Sequence, residues 1–271
     1  MVFFILVIMK KQPIGVFDSG VGGTSILREI VKKLPNEDYI YLADSKNAPY
    51  GEKSVDEIVA LCEKNVLYLL SQNCKLIVVA CNTATTNAIS VLRAKYNVPF
   101  IGIEPAIKPA AISTQTKRIG ILATKGTINS KLFSEKVDFY SEDIEVFEVV
   151  GTGLVEAIEQ GDLNSFKLKN LLKAFLDPLL KRKIDFLVLG CTHYPYLLPV
   201  IHSLVGDSVR VIDSGEAVAR QTAFVLKEQN LLFDKQDPSA QVQIFSNKDT
   251  KVVEQIIAPF FKNYLLKKVV F

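Results

Sequence analysis

Apolar and polar residues follow one another along the chain in blocks that predict strands and helices in turn. Short runs such as Leu76–Ala80 and Phe186–Leu189 are apolar at every position, which is typical of strands buried on both faces of a sheet. The stretches between such runs carry apolar residues at the i, i+3, i+4 spacing of amphipathic helices, as in Val55–Ser71. This alternation predicts an α/β protein with mostly parallel sheets that are flanked by helices.

The strand–turn–helix pattern restarts after Pro105, and each half contains one strand that ends in a cysteine. We therefore expect two similar α/β domains with the active site in the cleft between them. The predicted strands are Gln12–Phe17, Tyr39–Leu42, Leu76–Ala80, Phe100–Ile103, Arg118–Ala123, Ile144–Val150, Phe186–Leu189, Val209–Ile212 and Val242–Phe245. The predicted helices are Ile26–Leu34, Val55–Ser71, Thr83–Tyr96, Thr127–Tyr140, Leu154–Gln160, Leu163–Leu180, Tyr196–Leu204, Glu216–Glu228 and Thr250–Phe261.

The first nine residues are almost wholly apolar, but they are too few to cross a bilayer, which needs about 20 residues. They lack the basic start and the small-residue cleavage site of a signal peptide. Because Met9 precedes two lysines in the manner of a second translation start, we interpret residues 1–9 as an apolar N-terminal extension produced by a mis-assigned start. An additional strand or a partner-binding tail is the alternative.

The composition argues against two classes of binding partner. The chain of 271 residues has a net charge of +3 with scattered Lys and Arg, and it has no cluster of aromatic and basic residues. We therefore expect neither a nucleic-acid partner nor a membrane partner. Its four cysteines lack the spacing of a disulfide framework, so we expect free thiols and a cytoplasmic location.

Cys81 and Cys191 occur in matched contexts, because each follows a buried strand and precedes hydroxyl residues and a predicted helix. Ligands of parallel sheets bind beyond the carboxyl ends of the strands, where these thiols lie together with other polar residues. A helix N-terminus lowers the pKa of a thiol toward neutrality, so both cysteines are candidate bases. The strand-end residues of this kind are Asp18, Cys81, Thr124, Cys191 and Asp213.

The two thiols could serve four kinds of chemistry. A metal site needs more ligands than a chain with two histidines and no CxxC pair offers, and redox pairs are usually CxxC. A hydrolase uses one cysteine with a histidine and an Asn or Asp. Two thiols suit a two-base proton transfer, in which one removes a proton from a stereocentre and the other delivers one to the opposite face. Each sulfur needs to lie about 3 Å from the carbon, which places the sulfurs roughly 6–8 Å apart.

Asp18 and Ser19 end the first predicted strand, where a carboxylate could hold an ammonium group, tune Cys81 or cap the next helix. The glycines that follow do not complete a dinucleotide-binding GxGxxG motif, because Ser25 takes the place of the third glycine.

His193 follows Cys191 by two residues, so we interpret it as a general acid–base helper of that thiol. Glu156 and Glu159 lie on the predicted helix Leu154–Gln160. Either carboxylate could orient His193, and either could be a solvated side chain of the helix surface.

Five motifs in order give the chain a family resemblance. With GVFDSGVGGTSIL at 15–27, NAPYG at 47–51, ACNTATT at 80–86, GCTHYP at 190–195 and IDSGEAVAR at 212–220, it resembles the glutamate racemases of the aspartate/glutamate racemase family from about Pro13 to Phe261. The resemblance implies a first domain of residues 10–106 plus 213–271 and a second of residues 107–212. It also implies interconversion of L- and D-glutamate for peptidoglycan synthesis, without pyridoxal phosphate, metal or another cofactor.

We further expect a homodimer. Racemisation of aspartate or a related amino acid, or a non-catalytic binding protein, is the alternative. The resemblance implies that in one direction of racemisation Cys81 removes the proton, helped by Asp18. In the other direction Cys191 removes it, helped by His193, with Glu159 or Glu156 as an acidic helper. The substrate contacts that it implies are Asp18, Ser19, Tyr50, Gly51, Asn82, Thr83, Thr124, Thr192 and His193. Few Lys or Arg lie in these motifs, so neutral donors would bind the substrate carboxylates.

Overall fold

The computed structural model describes residues 9–233 and 240–271, and these residues form two parallel sheets. The larger sheet contains β1 (Ile14–Asp18), β2 (Tyr39–Ala43), β3 (Leu76–Val79), β4 (Phe100–Gly102), β9 (Val242–Ser246) and β10 (Tyr264–Lys268). Its strand order is β10-β9-β2-β1-β3-β4, and every neighbouring pair is parallel.

The smaller sheet is formed by the middle of the chain. It contains β5 (Arg118–Ala123), β6 (Glu145–Val150), β7 (Phe186–Gly190) and β8 (Arg210–Ile212), in the order β6-β5-β7-β8. All of its pairs are parallel as well, so the carboxyl ends of its strands lie along one edge.

Helices connect the strands. They are α1 (Thr24–Lys33), α2 (Val55–Ser71), α3 (Asn82–Lys95), α4 (Ile107–Ser113), α5 (Lys125–Ile128), α6 (Lys131–Tyr140), α7 (Leu154–Glu159), α8 (Phe166–Lys181), α9 (Leu198–Val205), α10 (Gly215–Glu228) and α11 (Lys251–Ile257). Short 3-10 helices occupy Tyr50–Glu52 and Tyr194–Leu197.

The central strands are buried on both faces, which explains why they are apolar at nearly every position. Every residue of β1, β2, β3 and β7 is buried. Helices cover both faces of such a sheet, so the α/β class with parallel sheets is confirmed. The parallel registers also bring the strand ends into line, with Asp18 opposite Ala43 and Phe17 opposite Val79.

Several elements differ from the prediction. The helix predicted at Thr127–Tyr140 is two helices, because the side chain of Ser130 caps α6 by accepting a hydrogen bond from the Phe133 N–H. The helix predicted at Thr250–Phe261 ends at Ile257. Helix α4 and the edge strand β10 have no counterpart in the prediction.

The domain boundaries at 106/107 and 212/213 stay a prediction, although the strands of each sheet fall on one side of them. Residues 1–8 of the apolar N-terminal extension lie outside the described residues. Within residues 9–233 and 240–271, no helix is both long and apolar enough to span a membrane.

Candidate active site

The carboxyl ends of the strands from both sheets surround one small pocket. Cys81, after β3, and Cys191, after β7, both line it. Its lining comprises Ser19, Pro49, Tyr50, Gly51, Cys81, Asn82, Thr83, Thr124, Val155, Cys191, Thr192 and His193.

Cys81 lies at the N-cap position of α3 and is 5% exposed. Its thiol lies 3.7 Å from the Ser19 hydroxyl. Burial raises the pKa of Cys81 well above its usual range, and the charge of Asp18 raises it further, while the N–H of Ala84 opposes this only in part. The prediction of a lowered thiol pKa is therefore wrong for Cys81, because desolvation outweighs the helix N-terminus.

Cys191 has a different environment, since an imidazole lies beside it. His193 Nδ1 lies 3.9 Å from Cys191 Sγ, and His193 Nε2 lies 2.8 Å from Glu159 Oε1. Burial acts to lower the pKa of His193, but its hydrogen bonds to Cys191 and Glu159 and the charge of Asp18 outweigh burial, and the pKa is raised well above its usual range. The direction of this shift favours the cationic form of the ring, which lies next to the thiol.

Glu159, rather than Glu156, is the carboxylate that contacts His193. Burial acts to raise the pKa of Glu159, but the hydrogen bond and charge of His193 and the N–H of Val21 outweigh it and lower the pKa. The Val21 N–H donates to Glu159 Oε1 at 2.6 Å. Glu156 lines two neighbouring pockets together with Pro49 and Val155.

Asp18 lies behind the pocket wall and connects the two sheets. It is fully buried, and one carboxylate oxygen accepts the Gly23 N–H at 2.8 Å and lies 3.9 Å from His193 Nδ1. The other oxygen lies 3.4 Å from the Thr192 hydroxyl that donates to it. Burial raises the pKa of Asp18, although the charge of His193 lowers it in part.

The turn after β1 passes so close to this cluster that two of its positions require glycine. A Cβ at Gly22 would overlap the His193 ring, and one at Gly20 would overlap the Glu159 carboxylate. The glycine-rich turn therefore serves close packing between the two sheets rather than the binding of a dinucleotide phosphate.

Hydroxyl and amide groups form the other side of the pocket. Thr83 Oγ1 lies 2.8 Å from Thr124 Oγ1 and 3.3 Å from Thr127 Oγ1, so residues after β3 and β5 meet there. Asn82 is 3% exposed, and neither its amide nitrogen nor its amide oxygen has a hydrogen-bond partner within the described chain. An unpartnered buried amide facing a pocket is available to a ligand.

The structure brings the predicted residues together with few exceptions. All predicted substrate contacts except Asp18 line the pocket, and Asp18 and Glu159 support it from behind.

Sequence reasoning missed Val155 and Thr127, since an aliphatic residue on a helix and one more threonine carry no signal of their own. Exposed His202 and buried Cys62 and Cys74 lie outside the pocket lining. The described residues contain no cluster of three or more His, Cys, Asp or Glu suited to a metal ion.

Comparison with known proteins assigns the chain to a family. A glutamate racemase from Ectopseudomonas mendocina is 46% identical over 92% of this chain and 94% of its own length. Glutamate racemase RacE1 from Bacillus anthracis superposes with a TM-score of 0.85 at 30% identity, covering 97% of this chain and 98% of that one. Escherichia coli glutamate racemase, solved with L-glutamate and the activator UDP-MurNAc-ala, gives 0.82 at 33% identity, covering 96% and 100%. The family model described as Asp/Glu/Hydantoin racemase matches residues 14–222, and the chain belongs to that family.

Proposed function

We propose that the protein is a glutamate racemase that interconverts L- and D-glutamate and supplies D-glutamate for peptidoglycan synthesis. The observation that carries this proposal is that Cys81 and Cys191 line one small pocket from two different sheets. Relatives at 43–47% identity named as glutamate racemases support the choice of substrate.

The substrate is held mainly by neutral groups. Glutamate has two carboxylates and one ammonium group; hydroxyls and amide N–H groups donate to the carboxylates, and hydroxyl and amide oxygens accept from the ammonium group. Asn82 has both amide atoms free for this task among the described residues. The proposed contacts are Ser19, Tyr50, Gly51, Asn82, Thr83, Thr124, Thr192 and His193, with Asp18 acting from behind the wall on Thr192 and Cys81.

The reaction transfers one proton to the protein and one from it. In one direction the Cys191 thiolate removes the Cα proton, and the Cys81 thiol delivers its own proton to the opposite face of the carbanion. The S–H bond of Cys191 forms as the C–H bond breaks, and the S–H bond of Cys81 breaks as the new C–H bond forms. The reverse direction begins with the proton on Cys191 and a thiolate at Cys81.

The two thiols have different surroundings. Burial and the charge of Asp18 raise the pKa of Cys81 and so favour its protonated form, whereas the ring of His193 lies 3.9 Å from the Cys191 sulfur. Glu159 holds the imidazole ring and its charge in place, so we propose it as the acidic helper. Exclusion of water from the small pocket strengthens each of these electrostatic effects.

Two further properties belong to the same proposal. The four cysteines are free and buried, which fits a reducing compartment and supports a cytoplasmic location. A homodimer without a bound cofactor is the assembly that we propose. Racemisation of aspartate is the competing activity, because the motifs do not report the length of the substrate side chain.

The test measures the reaction of each glutamate enantiomer in variants that lack one of the two cysteines. Purified protein is incubated with L- or D-glutamate and with L- or D-aspartate, and circular dichroism measures racemisation. In D₂O, exchange of the Cα proton is followed by NMR. In both Cys81→Ser and Cys191→Ser we expect loss of racemisation, with Cα exchange abolished for one enantiomer in one variant and for the other enantiomer in the second.

Cys62→Ala provides the control, since Cys62 is a buried cysteine outside the pocket. Racemisation retained by either active-site variant would contradict the two-thiol mechanism. Faster turnover of aspartate than of glutamate by the unmodified protein would replace the proposed substrate.

A further inference from the structure

A largely buried network of polar side chains lies beyond the ends of β2 and β9, behind the loop that carries three pocket residues. Ala43 of β2 pairs with Ser246 of β9, so Asp44 and Asn247 are adjacent as the next residue of each strand. Asp44 is 2% exposed. Neither Asp44 nor Asn247 lines the pocket.

The Asp44 carboxylate accepts hydrogen bonds from three side chains, two in its own loop and one in the segment after β9. Its Oδ2 accepts the Tyr50 hydroxyl at 2.5 Å, and its Oδ1 accepts the Asn47 side-chain amide at 2.7 Å and that of Asn247. The Asn65 amide of α2 donates to the Tyr50 oxygen at 3.1 Å. These bonds join the start of the loop, its pocket end, helix α2 and the segment after β9.

Asn247 also binds the backbone of the same loop through its side-chain amide oxygen. The Lys46 N–H donates to Asn247 Oδ1 at 2.9 Å, and the Asn247 N–H lies 3.4 Å from the Ala43 carbonyl oxygen. A residue near the C-terminus therefore fixes the backbone of a loop that lies about two hundred residues earlier in the chain.

The loop end held by this network forms one wall of the pocket. Pro49, Tyr50 and Gly51 line the pocket, and a Cβ at Gly51 would lie 3.0 Å from the Cβ of Thr124. Burial, together with the nearby charge of Asp44, raises the pKa of Tyr50 well above its usual range, so its hydroxyl stays a neutral donor to Asp44. The position of this wall thus depends on where Asp44 holds the Tyr50 ring.

We propose that Asp44 and Asn247 are positioning residues for substrate binding, which fix residues 46–51 against the pocket. This inference rests on the proposed glutamate racemase function. It extends that function by assigning part of the affinity for glutamate to side chains that do not touch it. Among the described residues, no hydrogen bond joins the network to the thiols or to the His193–Glu159 pair, so its loss should weaken binding more than the proton transfer.

The test separates KM from kcat in Asp44→Asn, Asn247→Ala and Tyr50→Phe. Asp44→Asn is isosteric but turns one acceptor into a donor that faces donors, so we expect KM for glutamate to rise about tenfold or more, with kcat falling less than about threefold. We expect the same direction with a smaller rise in Asn247→Ala. Because the enantiomers are equal in energy, kcat/KM must fall equally in both directions.

Two further measurements distinguish positioning from loss of the fold. Racemisation releases no net heat, so titration calorimetry gives the dissociation constant for glutamate directly, and we expect it to rise with KM. In Asp44→Asn/Tyr50→Phe the opposed donor at Tyr50 is absent, so KM should be no higher than in Asp44→Asn alone. Tyr39→Phe is the matched control, since this buried Tyr of β2 donates to the Leu34 carbonyl at 2.6 Å, away from the pocket, and should leave KM unchanged.

The outcomes separate the two proposals. If the unmodified protein does not racemise glutamate, the proposed function is wrong. If it does, and both Asp44→Asn and Asn247→Ala keep the original KM and dissociation constant, the positioning role is wrong. An equal loss of kcat with unchanged KM would also overturn it, because it would place the network in the chemical step.

Discussion

The contact between Glu159 and His193 gives the sharpest test of the electrostatics of the site. Glu159→Gln removes one negative charge but keeps the oxygen that accepts from the Val21 N–H and from the ring. Charge centres about 4 Å apart interact by about 4 kcal/mol at an effective dielectric constant of about 20. Opposite charges at this range shift a pKa by about one to three units, or about 1.4–4 kcal/mol. We expect the pKa of His193 to fall by that amount.

The assay uses the fact that the chain has two histidines. NMR of the imidazole groups follows the titration of His193, and the signal of exposed His202 is assigned first so that the two rings are distinguished. In the direction that begins with the Cys191 thiolate, the alkaline limb of the kcat–pH profile should move to lower pH. Above that limb, kcat should fall by about tenfold to a thousandfold.

The same substitution has a signed effect on stability. The pKa of His193 is raised above 6.5, so its contribution is complete below pH 6.5 and is lost as the pH rises through the raised value. The pKa of Glu159 is lowered from 4.5, so its contribution is complete above pH 4.5 and is lost as the pH falls through the lowered value. Glu159→Gln should therefore reduce the free energy of unfolding most between pH 4.5 and 6.5.

Two results would refute this reasoning. One is an unchanged titration of His193 in Glu159→Gln, which would mean that the carboxylate does not hold the charge of the ring. The other is a lowered pKa without any movement of the kcat–pH profile, which would mean that the charge of His193 does not serve catalysis.

Three further substitutions test the packing and binding groups. Gly22→Ala places a methyl group on the His193 ring, so kcat/KM should fall at least about a hundredfold in a racemisation assay while circular dichroism shows a retained fold. Asn82→Ala removes the unpartnered amide, and KM for glutamate should rise about tenfold with little change in thermal unfolding. Lys75→Met leaves the buried Glu37 carboxylate without the ammonium group 2.5 Å away, and urea unfolding should show a loss of about 3–5 kcal/mol that Glu37→Gln largely restores.

The common location of the polar residues at the strand ends was predictable from the sequence, because a parallel sheet places the carboxyl ends of its strands at one edge. The runs before Asp18, Cys81 and Cys191 are apolar at nearly every position, and parallel strands place their carboxyl ends at one edge. The assembly of the pocket follows from this geometry together with the polar residue after each strand.

Other features depend on tertiary contacts that no local pattern reports. Glu156 and Glu159 have the same helical context, and only the packing of α7 against the turn after β1 distinguishes the carboxylate that contacts His193. Strand β10 is an edge strand with three exposed residues, so it lacks the apolar run of a central strand. The pKa of Cys81 was mispredicted because the helix N-terminus is visible in the sequence, whereas full desolvation beside Asp18 is not.

In the proposed mechanism the two thiols perform the same chemical task from unlike environments, and this difference constrains the kinetics. Burial and the charge of Asp18 raise the pKa of Cys81, whereas the ring of His193 lies 3.9 Å from the Cys191 sulfur. The state with a thiolate at Cys81 is therefore costly. The enantiomer whose Cα–H faces Cys81 needs that state, whereas the other enantiomer reacts from the state in which Cys81 keeps its proton. Since kcat/KM is equal in both directions for enantiomers of equal energy, this asymmetry must appear as a difference in kcat matched by the same ratio in KM.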